Sequence, residues 1–224
     1  MAQKIYFLPG FGEDSFVFDN LKKYFSNYQI IDVNYRASLD KISFAAIDVR
    51  LLCKQLILEY GITKDDILIG HSMGGYFSFV IREIIFCQIV MLASFSNPNK
   101  IVRLVRKQWV NVAMAKMSLL RKTFFQNLLL KASKGKYFEQ EVEKVIRNLS
   151  NFSTAQISKM MKLSFGKPVP SVLENPLRIH AKNDVIVRPP DEPYEPCSLG
   201  HFCLILETEV IANIILKSLQ RSGD

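Results

Sequence analysis

Cysteine, histidine and long apolar runs are all scarce in this sequence, and each scarcity removes a class of protein. The four cysteines among 224 residues (Cys53, Cys87, Cys197, Cys203) show neither CxxC nor Cys/His ligand spacing. That excludes a disulfide-stapled scaffold and a structural zinc site, and leaves reduced, packed thiols. The most apolar window, residues 77–95, is interrupted by Arg82, Glu83 and Gln88, so no run reaches the roughly 18 apolar residues of a spanning helix. The apolar stretch Ile5–Leu8 breaks at Pro9-Gly10 and is too short for a signal peptide, which makes the cytoplasm the expected compartment. Gly10 and Gly12 lack a third glycine three residues on, so they are not a dinucleotide fingerprint. Nothing in the sequence calls for a metal or a cofactor.

What is present is ordinary in amount and uneven in arrangement. Hydrophobic residues make up 49% and charged residues 22%, which excludes disorder, collagen-like repeats and coiled coil. The net charge is +8. Residues 99–167 hold 15 Lys and Arg against 3 acids, a net of +12, and the remainder is at −4. The whole basic excess therefore sits in one segment.

Short β-like runs alternate with helical ones in the first half. Lys4–Leu8, Tyr28–Val33, Ile67–Ile69 and Gln88–Leu92 read as strands. Helices are expected from Asp14 or Ser15 to Phe25, around Val49, Leu52, Cys53 and Leu56, and over residues 73–84. The pattern resumes with strands at Leu177–Ala181 and Tyr194–Cys197. The last helix carries Val210, Ile211, Ile214, Ile215 and Leu219 on one face. This alternation predicts an α/β fold around a mostly parallel sheet flanked by helices. Between the halves, residues 97–166 carry almost no strand signal and read as consecutive helices. The expected organisation is a core over 1–96 and 167–224, with an all-helical cap inserted at 97–166.

The sharpest motif is Gly70-His71-Ser72-Met73-Gly74-Gly75, after a strand and at the mouth of a helix. About 0.04 matches to Gly-x-Ser-x-Gly are expected by chance at this composition. The pattern places serine on a very tight strand-to-helix turn, where a Cβ two residues to either side would strike backbone. The turn lifts Oγ above the sheet and points the helix N-terminus at a developing oxyanion. A nucleophilic serine needs a base, and the base an orienter. Of three histidines, His71 adjoins Ser72 and is expected to pack beside the turn, while His180 lies inside a strand. His201, in a loop before the last helix, remains. Asp184 follows the strand Leu177–Ala181, at the sheet edge where sites form; Asp191 and Glu192 are its competitors. Ser72, Asp184, His201 is the chain order of such a triad. The two oxyanion-hole donors are expected to be the backbone N–H groups of Met73 and of Phe11, the latter between Gly10 and Gly12.

The motifs Pro9-Gly10-Phe11-Gly12, Gly70-His71-Ser72-Met73-Gly74-Gly75, Ile179-His180-Ala181-Lys182-Asn183-Asp184 and Gly200-His201-Phe202 together resemble the α/β-hydrolase superfamily. The resemblance covers the chain outside residues 97–166. The sequence also resembles the small bacterial esterases and thioesterases with a helical cap, the group that includes the pimeloyl-ester carboxylesterase. It implies that the first strand corresponds to the family's third and that Pro9-Gly10 stands where His-Gly is common. The helix usual between Asp and His is here reduced to Arg188–Pro196. A serine at position 72 sets the chain apart from the family's dehalogenases and epoxide hydrolases, which resemble this fold but use Asp there.

The first helix of the insert is expected to be apolar along Ile101, Val105, Trp109, Val112 and Leu119, with Lys100, Arg103, Arg106, Lys107 and Lys116 as cations. A solvated basic surface over a packed apolar face accounts for it. A greasy acyl tunnel under a basic rim also does, and suits an anionic acyl substrate or a peripheral contact with an anionic membrane. Phe124, Phe125, Tyr137, Phe138, Phe152 and Phe165 add aromatics but no nucleic-acid module. The expected activity is a serine hydrolase acting on a small-molecule carboxylic ester or thioester. The same residues admit a lyase that abstracts a proton with the triad, or a ligand receptor with little turnover.

Overall fold

Lys4-Ile5-Tyr6-Phe7-Leu8 has no charged side chain after Lys4, and in the computed structural model it forms β1 (Lys4–Leu8), buried on both faces. The structure describes residues 3–102, 134–136, 138–171 and 173–221. The expected positions Arg103, Val105, Arg106, Lys107, Trp109, Val112, Lys116, Leu119, Phe124, Phe125 and Tyr137 lie outside the described residues.

Six strands form one sheet, in which every pairing is parallel: β2 (Gln29–Asp32), β1, β3 (Ile67–His71), β4 (Gln88–Leu92), β5 (Leu177–Ala181) and β6 (Glu195–Cys197), in that spatial order. An all-parallel sheet needs helices on both faces, and alternate side chains of each strand go to different cores. Tyr6, Leu8 and Leu68 join one cluster, Ile5, Phe7, Ile67 and Ile69 the other. The first cluster is covered by α2 (Arg36–Lys41), α3 (Val49–Tyr60) and α4 (Met73–Ile85), and the second by α1 (Asp19–Lys22) and the C-terminal helices α7 (Cys203–Leu206) and α8 (Thr208–Arg221).

Local signals explain most boundaries. The Asp48 side chain caps α3 by accepting from Leu51 N–H at 2.8 Å, and Gly61 ends it in the left-handed region at φ 61°. Leu52, Cys53 and Leu56 are buried, as their spacing requires. Two expectations change. The helix expected from Asp14 to Phe25 is instead a 3-10 turn (Ser15–Phe18), the single α-turn of α1 and a second 3-10 turn (Lys23–Phe25). The tighter winding keeps residues three apart on one line; Phe18 and Leu21 are both buried, and Phe7 meets Phe18 at 5.0 Å and Phe25 at 6.3 Å. In α8 the buried line is Ile211, Ala212, Ile215 and Leu219, and Val210 is 53% exposed. Position 210 is a full 100° round the helix from 211 and falls off the core stripe.

Within 97–166, α5 (Glu139–Leu149) and α6 (Thr154–Ser164) lie over the first cluster, to which Leu149, Phe152, Ile157, Met160 and Leu163 belong. Ser153 and Gln156 form a reciprocal capping box at the start of α6. Gln156 Nε2 also donates to Asp40 Oδ2 at 2.9 Å, Lys159 Nζ to Leu39 O at 2.7 Å and Asn148 Nδ2 to Gly12 O at 3.0 Å. Ile101 makes an antiparallel bridge to Val187. Among the described residues, no helix is long and apolar enough to cross a membrane.

Candidate active site

Ser72 is the entire connection between β3, which ends at His71, and α4, which begins at Met73. Its backbone sits at φ 52°, ψ −119°, a conformation that costs a non-glycine residue about 1–3 kcal/mol. Neighbours over-determine it. Ser72 N–H donates to Leu92 O at 3.0 Å, and Ser72 O accepts from Ser94 Oγ at 2.6 Å and Gly75 N–H at 3.1 Å. The flanking glycines are needed for room, since a Cβ on Gly74 would lie 2.0 Å from Leu8 O and one on Gly70 2.5 Å from Gly74 O.

The C-terminal edge of the sheet brings two further side chains to Ser72. His201 Nε2 is 3.1 Å from Ser72 Oγ, and His201 Nδ1 is 2.8 Å from Asp184 Oδ2. All three residues are at least nine-tenths buried. The other carboxylate oxygen, Asp184 Oδ1, accepts from Ile186 N–H at 2.8 Å and Val187 N–H at 2.9 Å. Burial alone would raise the Asp184 pKa, but the charge and hydrogen bond of His201 and the two backbone donors outweigh it and hold the carboxyl below its ordinary value. Asn183 Oδ1 accepts from Gly200 N–H at 3.2 Å and ties the aspartate loop to the histidine loop.

The competing acids are engaged elsewhere. Asp191 pairs with Lys100 Nζ at 2.5 Å; Glu192 accepts from Ser96 Oγ at 3.0 Å and lies 3.6 Å from Arg178. His180 is buried, 3.0 Å from Val187 O through Nε2, and burial lowers its pKa. His71 does more than pack. It is fully buried, with Nδ1 2.8 Å from Glu13 Oε2 and Nε2 2.9 Å from the backbone oxygen of His201. Sequence reasoning passed over Glu13. The one signal for it was a carboxylate directly after the Gly10–Gly12 turn, in a chain whose His71 had no assigned partner.

A cavity of about 160 Å³ opens at Ser72, lined by Phe11, Met73, Phe95, Met161, Phe165 and Val187 among others. Among the described residues, no acceptor engages the backbone N–H of Phe11 or of Met73. A larger groove, about 710 Å³, lies apart from Ser72 between the start of α3 and the Leu163–Pro170 stretch and carries Arg50, Lys54, Lys162 and Lys167.

No family model and no curated protein sequence matches this chain. Solved structures do. A thermophilic esterase from Thermogutta terrifontis, solved with malate bound, superposes with a TM-score of 0.74 at 14% identity, over 99% of this chain and 90% of its own. The enol-lactonase from Burkholderia xenovorans LB400 gives 0.73 at 14% identity, over 98% and 92%. An epoxide hydrolase from Bacillus megaterium, in complex with an inhibitor, gives 0.68 at 13% identity, over 98% and 94%. This chain has the α/β-hydrolase fold. In that α/β-hydrolase framework the described chemistry gathers at the C-terminal edge of the sheet: Phe11 after β1, Ser72 after β3, Asp184 after β5 and His201 after β6. The fold of an α/β-hydrolase hosts esters, lactones and epoxides alike in these three neighbours, so the choice among chemistries rests on the side chains.

Proposed function

We propose that this protein is a serine hydrolase that cleaves a carboxylic ester or thioester through an acyl-enzyme. The observation that carries the reading is the unbroken chain from Ser72 Oγ through His201 to Asp184, at 3.1 and 2.8 Å. His201 Nε2 takes the proton as Ser72 Oγ attacks the carbonyl carbon. Asp184, held ionised by its backbone donors, fixes the tautomer with a proton on Nδ1 and stabilises the imidazolium that forms. The tetrahedral oxyanion is received by the N–H groups of Phe11 and Met73. Collapse transfers the proton from His201 to the departing alcohol or thiol, and water then attacks the acyl carbon by the same route in reverse.

The cavity supports a reading of the substrate class. Its lining is almost wholly apolar and its volume about 160 Å³, small beside the ~300–1,000 Å³ of pockets that enclose drug-sized ligands. A short acyl group is the expected occupant. The segment 97–166, which includes α5 and α6, acts as a cap over this mouth, and its basic excess favours an anionic substrate. The four buried free cysteines fit a reducing compartment such as the cytoplasm.

A fluorophosphonate probe should label Ser72 and no other serine, read by peptide mass mapping. Ser72→Ala and His201→Ala should each lower kcat on a short-chain ester by on the order of 10⁴, with little further loss in the double variant. Labelling elsewhere, or full activity in Ser72→Ala, would refute the reading.

A further inference from the structure

Two carboxylate–imidazole couples lie side by side in this molecule, with the rings of His201 and His71 4.9 Å apart. The Asp184–His201 couple ends on the hydroxyl of Ser72. The Glu13–His71 couple ends on the backbone carbonyl of His201 itself. We infer that Glu13 and His71 form a permanently proton-loaded clamp, a pair of positioning residues that hold the oxyanion turn, the nucleophile turn and the base loop in one geometry. The inference rests on the hydrolase reading of Ser72 and His201.

The proton count follows from the partners. A carbonyl oxygen cannot donate, and neither can an ionised carboxylate. A neutral imidazole has one N–H, so between two acceptors at 2.8 and 2.9 Å one contact would set lone pair against lone pair. The site is satisfied when both ring nitrogens of His71 carry protons and Glu13 is a carboxylate. Glu13 Oε2 also accepts a hydrogen bond from Gly10 N–H at 2.6 Å. The couple then has no net charge, which lets it be buried with Glu13 only 4% exposed and His71 not at all. Burial pushes the His71 pKa down, but the charge and hydrogen bond of Glu13, the His201 carbonyl and Asp184 outweigh it and leave the pKa raised. The other titratable groups facing the couple are His201, His180 on β5 and Tyr35 after β2.

The clamp touches each moving part of the proposed chemistry. Glu13 fixes Gly10, next to the Phe11 N–H, and a Cβ on Gly10 would lie 2.6 Å from Glu13 Oε2 and 3.0 Å from Ser72 Cβ. His71 is the residue before Ser72. Its Nε2 proton anchors the backbone of His201, so ring position is set from the main chain as well as from Asp184. Because that proton is spent on a carbonyl and the ring is sealed from solvent, His71 does not exchange protons with substrate.

The test combines a spectrum and a rate. In the full-length protein with ¹⁵N-labelled histidine, His71 should show both ring nitrogens protonated at pH 8; one protonated nitrogen there overturns the inference, and this needs no variant. Glu13→Gln puts a single neutral atom where Oε2 served both Gly10 and His71, and returns His71 to a pKa at which it is neutral at pH 8. Phosphonylation of Ser72 by the fluorophosphonate should then slow about 10- to 100-fold at pH 8, the scale of a small misplacement. Burial without the Glu13 charge keeps the ring neutral at pH 6 as well, so the deficit should persist there and the variant's spectrum should show a single protonated ring nitrogen on His71. Both ring nitrogens of His71 still protonated in Glu13→Gln, or labelling of Ser72 at the unaltered rate, overturns the clamp. Absence of any labelling in the unaltered protein overturns the hydrolase reading instead, and the spectrum still decides the proton count.

Discussion

The sheet and the α5–α6 layer above it are built by different means. The described strands bury few polar side chains, chiefly His71, Arg178 and His180, and hold together by apolar packing on two faces. In the layer, Glu141, Asn148, Gln156, Ser158, Lys159 and Ser164 are all buried, interleaved with Ile157, Met160 and Leu163. Its attachments include directed bonds to α2 and its neighbours, such as Lys159 to Leu39 O and Gln156 to Asp40. The basic excess of residues 99–167 does not come from this layer, since residues 139–164 hold four Lys and Arg against three acids. Apolar packing fixes a rigid edge on which proton transfer needs sub-ångström placement. Directed polar bonds seat a roof in one register while leaving its outer surface free to vary in charge.

Substitutions should separate the two regions by size of effect. The largest belongs to the turn in the core. Gly74→Ala would set a Cβ 2.0 Å from Leu8 O, and a loss above roughly 4 kcal/mol in urea unfolding is expected. Gly166→Ala, where a Cβ would meet nothing nearer than 3.4 Å, should stay within about 0.5 kcal/mol. Comparable losses at the two glycines would erase the distinction. Phe77→Ala, emptying a fully buried site on α4, should cost about 3–5 kcal/mol. In the layer, Lys159→Met should cost less, about 1–3 kcal/mol, through the orphaned Leu39 carbonyl; a cost above that of Phe77→Ala would place the main anchorage in the polar tethers.

Acid should act on the edge of the sheet. The Asp184 pKa is depressed in the fold, so its contribution is complete above the unfolded value near ~3.9 and disappears as pH falls through the lower folded value. Asp184→Asn should therefore flatten the acid side of a stability profile measured by thermal unfolding, and an unchanged slope would contradict the depressed value. The smallest effect concerns the basic segment. If its potential reaches the mouth at Ser72, kcat/KM for an anionic short-chain ester should fall several-fold as salt rises to ~0.2 M, while a neutral ester of equal length changes little. Equal responses would leave the basic charge as solvated surface.

Most of the sheet was legible in the sequence, because β1, β3 and β4 are short, largely apolar runs cut off by Gly, Pro or a polar residue. Lys4–Leu8, Gln88–Leu92 and Leu177–Ala181 coincide with the observed limits, and the other strands differ by one or two residues. The turn at Ser72 was legible for the same local reason. The winding of residues 15–25 was not, since α and 3-10 geometry differ in how Phe18, Leu21 and Phe25 meet Phe7 rather than in composition. Glu13 was missed because its partner stands 58 positions away and no spacing links them. His71 was assigned mere packing because adjacency to Ser72 says nothing about which way the ring turns.

The two margins of the sheet are unequal, and that governs how copies of this protein can meet. β6 is three residues long with Pro196 at its centre. A proline lacks the N–H that a ladder requires, so it occupies a position facing outward and leaves that margin without a donor at its midpoint. A second molecule cannot extend the sheet there in register. β2 at the opposite margin has four residues ending in Asp32, which is held by Lys22 at 2.8 Å. Among the described strands, β2 is therefore the margin with the more regular edge, and its short charged border discourages a further strand.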